Sequence, residues 1–330
     1  MSKYWLPLDI SSHGKPIDEL IVITHVFMAI LFVGWGIFFV YCLIAFRSRP
    51  GHHPSTTLPK ATLSKYSEVV VILVEAVLLL AFSIPLWAKS RGVANAPASA
   101  DRLEVRVVAE QFGWNFHYPG VDGVFGPTSV DLITKENPLG LDRSDPTGKD
   151  DIVTLDEMHV PVNKHVLIHL SSKDVIHSFG VPMLRIKQDA VPGQTIPMWF
   201  KAVKTTDEVR SQLKRFAAVK VKDWKLLNYH VTMSECTDSN GAMVLPEGHV
   251  LTEEDIPMLV EAGVRRIEVA PVVPTQIACA QLCGLGHYSM DAALYVESES
   301  DFLAWLAEEA EYLSEDEYGD DYGDEEEEEE

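Results

Sequence analysis

From Leu20 to Phe46 the chain runs for 27 residues without an Asp, Glu, Lys or Arg. As a helix rising 1.5 Å per residue, such a run is roughly 40 Å long and exceeds the ~30 Å hydrocarbon core of a bilayer. A second apolar run, Val69 to Ala88, contains a single charge, Glu75. The two runs predict a two-helix membrane anchor over residues 20–88, preceded by a short N-terminal segment, residues 1–19. A buried hairpin of a soluble protein is the alternative reading of the same pattern. A cleavable signal does not fit, because the first run is too long and no small-residue cleavage site follows Phe46.

The connection between the runs, Arg47 to Lys65, carries Arg47, Arg49, Lys60 and Lys65 and no acid. Basic connections stay on the cytoplasmic side, so both termini and everything after residue 90 are expected outside. Glu68 sits at the cytoplasmic end of the second helix, and Glu75 lies two turns deeper on nearly the same face. A carboxyl at membrane depth is costly and faces either a proton path or a packed, hydrogen-bonded interior. Pro85 is expected to end or mildly kink this helix.

After a polar linker, residues 89–101, the hydrophobic period changes. Leu103 to Ala109 and Val166 to Leu170 alternate as half-buried strands do, and Pro119-Gly120, Gly126-Pro127 and Pro192-Gly193 punctuate the region. Short strands with such turns predict an all-β sandwich or barrel. Thr206 to Lys220 and Glu253 to Ala262 have helical composition instead, which marks residues 205–270 as a mixed α/β insertion.

The net charge of −22 is local: fifteen Asp and Glu lie between Glu308 and Glu330 with no base among them, leaving about −7 elsewhere. The acidic tail, residues 307–330, is expected to be disordered from about Ser314. Nucleic acid is excluded as a partner for want of a basic face, whereas a cationic protein suits the tail. Four cysteines are too few and too scattered for a disulfide framework; Cys42 lies in the first apolar run, Cys236 stands alone, and only Cys279 and Cys283 form a local pair.

That pair opens the sharpest signal, Cys279-Ala-Gln-Leu-Cys283-Gly-Leu-Gly-His287-Tyr-Ser-Met290. Two thiols, an imidazole and a thioether within twelve residues are soft donors suited to copper or zinc, and zinc rarely takes methionine. A second cysteine is superfluous for a single copper, so the spacing points to two coppers bridged by both sulfurs. A further histidine from a distant turn is then required, and Asp174-Val-Ile-His177 supplies it.

Asp174 to Gly193 and Cys279 to Met290 resemble the two metal-ligand segments of cytochrome c oxidase subunit II. Gln111-Phe-Gly-Trp114-Asn-Phe-His-Tyr118 is similar to that family's aromatic segment, and Glu68, seventeen residues before Pro85, to its second-helix glutamate. The resemblance covers the anchor and about two thirds of the outer domain, but not residues 121–150, the insertion or the tail. It implies two transmembrane helices as a helical hairpin, then an all-β cupredoxin-like Greek-key domain (102–204 and 271–306) holding a binuclear CuA centre. Cys279 and Cys283 would bridge the coppers, His177 and His287 cap one each, and Met290 and the Gln281 carbonyl act as axial ligands. The implied function is transfer of electrons from cytochrome c to the haem of subunit I, where oxygen is reduced to water with proton translocation. Subunits I and III and membrane lipid are the implied partners, with Glu68 as the point of proton uptake. The implied location is a bacterial inner membrane, the copper domain on the periplasmic side.

Three departures from the family pattern stand out. Gln281 replaces the glutamate whose carboxylate holds magnesium, which argues against a standard magnesium site. The tryptophan that receives electrons aligns with Phe112, while Trp114 is kept, so either ring is a candidate for that step. Lys173 replaces an acid before Asp174. Asn115, His117 and Tyr118 read as structural, as do His25, His52, His53, His159, His165, His169, His230 and His249, none of which has ligand spacing. Two other functions remain open on sequence alone, a membrane-anchored copper carrier or chaperone and a quinol-oxidase-type structural subunit. The filled ligand set speaks against the second, and Glu68 against the first.

Overall fold

The computed structural model describes residues 6–51, 62–91, 98, 102–220, 225 and 227–319. It divides into two compact units: Met1–Asp9 with His13–Ala96, and Ile10–Ser12 with Pro97–Glu330.

The first unit is helical. Its long helix α1 (Gly14–Ala45) starts before the apolar run, because hydropathy marks where a helix meets lipid and not where its hydrogen bonding begins. The second helix consists of α2 (Thr62–Val77), a π-helical turn (Leu78–Ser83) and α3 (Ile84–Arg91). Pro85 does not end it. Proline lacks an N–H, and the change of winding is absorbed in the turn just before it, where the Ile84 N–H reaches back five residues to the Leu79 carbonyl. The Ser83 hydroxyl donates to the Leu78 carbonyl at 3.1 Å. Both helices are long and apolar enough to cross a membrane, and none of either apolar stretch is buried within the chain. Phe32, Trp35, Phe39 and Leu80 all face outward. A soluble hairpin would hide them, so lipid or a membrane partner must cover these faces. Glu68 and Glu75 are exposed on α2. His52, His53 and Lys60 lie outside the described residues, as does most of the linker.

The second unit is built on two five-stranded sheets. One has the order β3 (Ile152–Leu155), β2 (Gly113–Tyr118), β1 (Arg102–Glu110), β5 (His165–Ser172), β8 (Ile196–Lys201). The other runs β4 (Glu157–Pro161), β15 (Asp291–Glu297), β14 (Gln276–Cys279), β6 (His177–Val181), β7 (Ile186–Ala190). β1 pairs with β5, and β15 with β4, in parallel; the remaining pairs are antiparallel. The alternation read in the sequence is the pleat itself. Val105, Val107 and Ala109 of β1 point into the core, where they join Phe116, Phe179, Ile277, Leu294 and Val296. This is a cupredoxin-like sandwich. The loop after β2 is pinned to it by Asp151, which is fully buried and accepts hydrogen bonds from His117 Nε2 at 2.5 Å and from the Gly120 and Gly126 amides.

Residues 205–270 form an α/β substructure with its own core of Leu227, Leu245, Leu251, Ile256, Leu259, Ile267 and Val269, among others. The helix predicted over Thr206 to Lys220 stops early. α4 (Thr206–Leu213) begins with a capping box of Thr205 and Glu208, but the chain then becomes β9 (Arg215–Ala218). There β13 (Arg266–Pro271) offers a full antiparallel ladder, and tertiary pairing overrides helical composition. β10 (His230–Thr232) completes this sheet, β11 (Cys236–Thr237) pairs antiparallel with β12 (Met243–Leu245), and α5 (Asp255–Glu261) accounts for the second helical stretch. The last helix, α6 (Glu299–Gly319), carries Phe302 and Trp305 against Tyr118 of β2. It continues past Ser314, so the acidic segment starts out helical rather than disordered there; residues 320–330 lie outside the described residues.

Candidate metal centre

Three loops meet at one end of the sandwich. The β1–β2 turn contributes Gln111 and Phe112, the turn before β6 contributes Asp174 and His177, and the β14–β15 loop runs from Cys279 to Met290. Backbone bonds tie them to the sheet: the Ala280 amide donates to the Ser178 carbonyl, and the Cys279 amide to the Met290 carbonyl. Cys279 ends β14, directly across from Phe179 of β6, so the ladder that builds the sheet also brings the loop to His177.

The donor atoms converge. Cys279 Sγ and Cys283 Sγ are 3.8 Å apart, and both cysteines are free and buried. A disulfide needs sulfurs ~2.05 Å apart, so this is a reduced pair with both sulfurs facing the same space. His177 Nδ1 lies 3.9 Å from Cys279 Sγ, and His287 Nδ1 lies 3.5 Å from Cys283 Sγ. Met290 Sδ is 3.7 Å from Cys283 Sγ, and the Gln281 carbonyl is 3.1 Å from Cys279 Sγ. Ligating atoms of His177, Cys279 and Cys283 fall within 4.8 Å of one another. Each histidine thus accompanies a different sulfur, leaving the two sulfurs central.

The first histidine is prepared for its role. His177 is fully buried, and its Nε2 donates to Asp174 Oδ1 at 2.8 Å. A carboxylate only accepts, so the ring hydrogen resides on Nε2 and the Nδ1 lone pair faces the sulfurs. Asp174 also accepts from the amides of Gln111 at 2.8 Å and Val175 at 2.6 Å. Burial opposes its ionisation, but the hydrogen bonds from His177, Val175 and Gln111 outweigh that and hold its carboxyl below the usual range. Gln111 grips the other side as well, donating from Nε2 to the Cys283 carbonyl at 2.5 Å. The sequence reading assigned no role to Asp174 or Gln111. The available signal was a carboxylate three residues before a candidate ligand histidine.

The thiols favour a cation between them. Burial first, and then the neighbouring Cys279, push the Cys283 thiol up to about 11. Two adjacent thiols in this setting shed their protons together only when a metal compensates the charge. The fit to copper is chemical: two thiols, two imidazoles and a thioether make a soft donor set, and no carboxylate among the described residues joins them. The Gln281 side chain offers none either.

Phe112 and Trp114 are placed differently. Phe112 is 38% exposed and lies on the metal loop, close enough that a Cβ on Gly286 would come within 2.5 Å of its ring. Gly284, at φ +140°, makes room for Gln111 and Phe112 in the same way. Trp114 is fully buried beneath His177, ring centres 6.3 Å apart, and edge-on to Phe179 at 5.4 Å. Around the loop, Leu282, Leu285 and Tyr288 stand almost wholly exposed. The remaining described histidines of this unit have other engagements: His117 with Asp151, His159 with Glu297, His169 with Glu104, His249 with Asp255, His230 with the Asn228 carbonyl, and His165 against Trp199. Cys236 is packed in the core of the 205–270 substructure, where burial pushes its thiol up. Glu68 belongs to the helical unit.

A cupredoxin-like domain with a soft-donor loop, on a chain with two membrane-crossing helices, defines a membrane-anchored protein of the copper-domain class. Residues 103–207 match the family model for the periplasmic domain of cytochrome c oxidase subunit II. The chain is 28% identical over 304 residues to the alternative cytochrome c oxidase subunit 2 of Bradyrhizobium diazoefficiens, covering 92% of this chain and 83% of that protein. It is 29% identical over 180 residues to cytochrome c oxidase subunit 2 of Cereibacter sphaeroides, covering 50% of this chain and 57% of that one. The solved periplasmic domain of cytochrome oxidase subunit II from Bradyrhizobium japonicum is 21% identical, with TM-score 0.33, covering 66% of this chain and 99% of its own. Residues 103–207 thus resemble the periplasmic domain of cytochrome c oxidase subunit II, and over most of its length the chain is similar to a subunit 2 of such an oxidase.

Proposed function

We propose that this chain receives electrons from a cytochrome c at a binuclear copper centre and passes them to the haem of subunit I, where oxygen is reduced to water with proton translocation. The observation that carries the reading is the pair of free, buried sulfurs 3.8 Å apart, each with its own histidine. Bound copper supplies a one-electron acceptor. Cys279, Cys283, His177, His287 and Met290, with the Gln281 carbonyl, are the residues that would hold it. Asp174 holds His177, and Gln111 holds the Cys283 backbone, which would limit rearrangement on electron transfer. Phe112, exposed and lying on the loop, is the ring through which an electron arrives, and Trp114 supports His177 from below. Glu68 takes up protons from the cytoplasmic side.

In the same reading residues 20–88 anchor the chain beside subunits I and III in a bacterial inner membrane. Residues 102–204 with 271–306 carry copper on the periplasmic side, where both termini also lie, and residues 205–270 are an insertion. The acids of residues 307–330 attract a cationic donor. Neither a copper carrier nor a quinol-oxidase-type subunit requires two sulfurs each with its own histidine, and a carboxylate–glutamine brace from His177 to the Cys283 backbone.

The test is metal analysis with optical and EPR spectra of the full chain purified within its oxidase. Two coppers per chain in a mixed-valence spectrum, lost on Cys279→Ser or Cys283→Ser, are expected. One zinc and no copper would overturn the proposal.

A further inference from the structure

The pleat that sends Val105, Val107 and Ala109 into the core sends Glu104, Arg106 and Val108 to the other face of β1. Arg106 stands directly opposite His117 of β2 and His169 of β5, so the three side chains line up across the outer face of the sheet. Part of the loop after β2 walls them from the other side, leaving a half-open cleft of about 850 Å³. Phe125 enters it from the loop, with the Arg106 guanidinium 4.3 Å above its ring and His117 and His169 edge-on to it at 5.1 and 6.0 Å.

Hydrogen-bonding capacity in this cleft is uneven. Its acids are already engaged: Glu104 takes Arg102 on Oε1 and His169 on Oε2, and Asp145 Oδ1 accepts from the Thr147 amide and hydroxyl. Arg106 is not. It donates from Nη1 to the Gly126 carbonyl at 3.2 Å, and its Nε and Nη2 have no acceptor among the described residues. Lys173, bound to Glu110 at 2.7 Å, keeps two further hydrogens. His117 is fully buried and gives its Nε2 hydrogen to Asp151, so its Nδ1 carries a bare lone pair that no described residue meets. Burial holds this imidazole below the usual histidine range despite the bond to Asp151, and the charges of Arg106 and Arg143 add to the effect. The ring is therefore neutral.

The Nε–Nη2 edge of a guanidinium presents two parallel N–H groups, the geometry that grips an oxyanion through two oxygens. A bare imidazole nitrogen beside it accepts only from an O–H or N–H. We propose that the cleft binds a small oxyanion that also carries a hydroxyl, with the charged oxygens on Arg106 and the hydroxyl directed to His117. A hydroxycarboxylate and hydrogen phosphate share this chemistry. No donor of the metal centre lines the cleft, and residues 121–150 fall outside the resemblance to subunit II, so the site stands apart from electron transfer.

The experiment is equilibrium dialysis of the full chain, purified in detergent, against labelled glycolate, acetate and phosphate, with ionic strength held constant by chloride. Saturable binding of glycolate or phosphate at one per chain is expected, with acetate, which has no hydroxyl, weaker by ~10-fold or more. Which of the two binds tells an organic ligand from an inorganic one. Arg106→Lys keeps the charge but not the fork and should weaken binding by ~10-fold or more. Ser171→Phe fills the cleft without changing any charge and should abolish binding, which decides the matter even if the Arg106 variant does not fold. No saturable binding of glycolate or phosphate, acetate bound as tightly as they are, or full binding in folded Ser171→Phe would each overturn the proposal.

Discussion

The Asp174 carboxylate accepts a 2.8 Å hydrogen bond from His177 Nε2, and this contact fixes which nitrogen of a fully buried histidine faces the two cysteines. The same carboxylate receives the Gln111 amide, whose side chain in turn holds the Cys283 carbonyl. One carboxylate and one glutamine therefore tie the β1–β2 turn to the two segments that carry the donor atoms. Order at the metal centre is a property of this brace as much as of the donors.

Removing the charge from that brace should weaken the site without unfolding it. Asp174→Asn keeps the shape and an accepting oxygen but loses the negative charge that strengthens His177 as a donor. Copper affinity is expected to fall about 10- to 100-fold, the usual effect of losing such a supporting carboxylate. Competition titration against a copper chelator measures it. Affinity equal to wild type would mean that Asp174 only shapes its turn.

Close packing between Phe112 and the metal loop makes a second prediction. A methyl group on Gly286 would meet the Phe112 ring at 2.5 Å, so Gly286→Ala must displace the ring or the loop. A loss of roughly 1–3 kcal/mol in stability is expected, the ordinary range for overpacking. Combined with Phe112→Ala, which removes the obstructing ring, Gly286→Ala should cost much less than it does alone. Thermal unfolding of the four proteins reads the coupling, and strictly additive losses would show that the two residues do not press on each other.

The anchor supplies a third. With Glu68 as the group that takes up protons, Glu68→Gln should slow steady-state oxygen reduction and leave the copper spectrum unchanged. Turnover in the assembled oxidase at several pH values is the measurement. Wild-type rates throughout would assign Glu68 to helix packing.

Much of this protein was legible before folding was considered. A charge-free run longer than a bilayer is thick allows few fates, and Leu20 to Phe46 with Val69 to Ala88 read directly as membrane helices. Likewise β1 and β5 were visible in the alternation of Leu103 to Ala109 and Val166 to Leu170, because a strand's period of two is a local property. The donor loop was legible for the same reason, since Cys279, Cys283, His287 and Met290 lie within one short stretch.

What the sequence could not settle depends on partners distant along the chain. Composition made Arg215 to Ala218 helical, but β13 offered those residues a ladder, and pairing energy exceeds the tenths of a kilocalorie that separate helix propensities. Pro85 read as a stop or a mild kink because its missing N–H is local knowledge, whereas the π-helical turn that accommodates it depends on how neighbouring residues rewind. Asp174 and Gln111 each opened a segment with a family resemblance but had no role of their own there; only the convergence of three loops turned them into a brace. His117 had no ligand spacing and read as structural. Arg106, His169 and Phe125 come to it from β1, β5 and the loop after β2, and only the packing of those elements gathers them along one cleft.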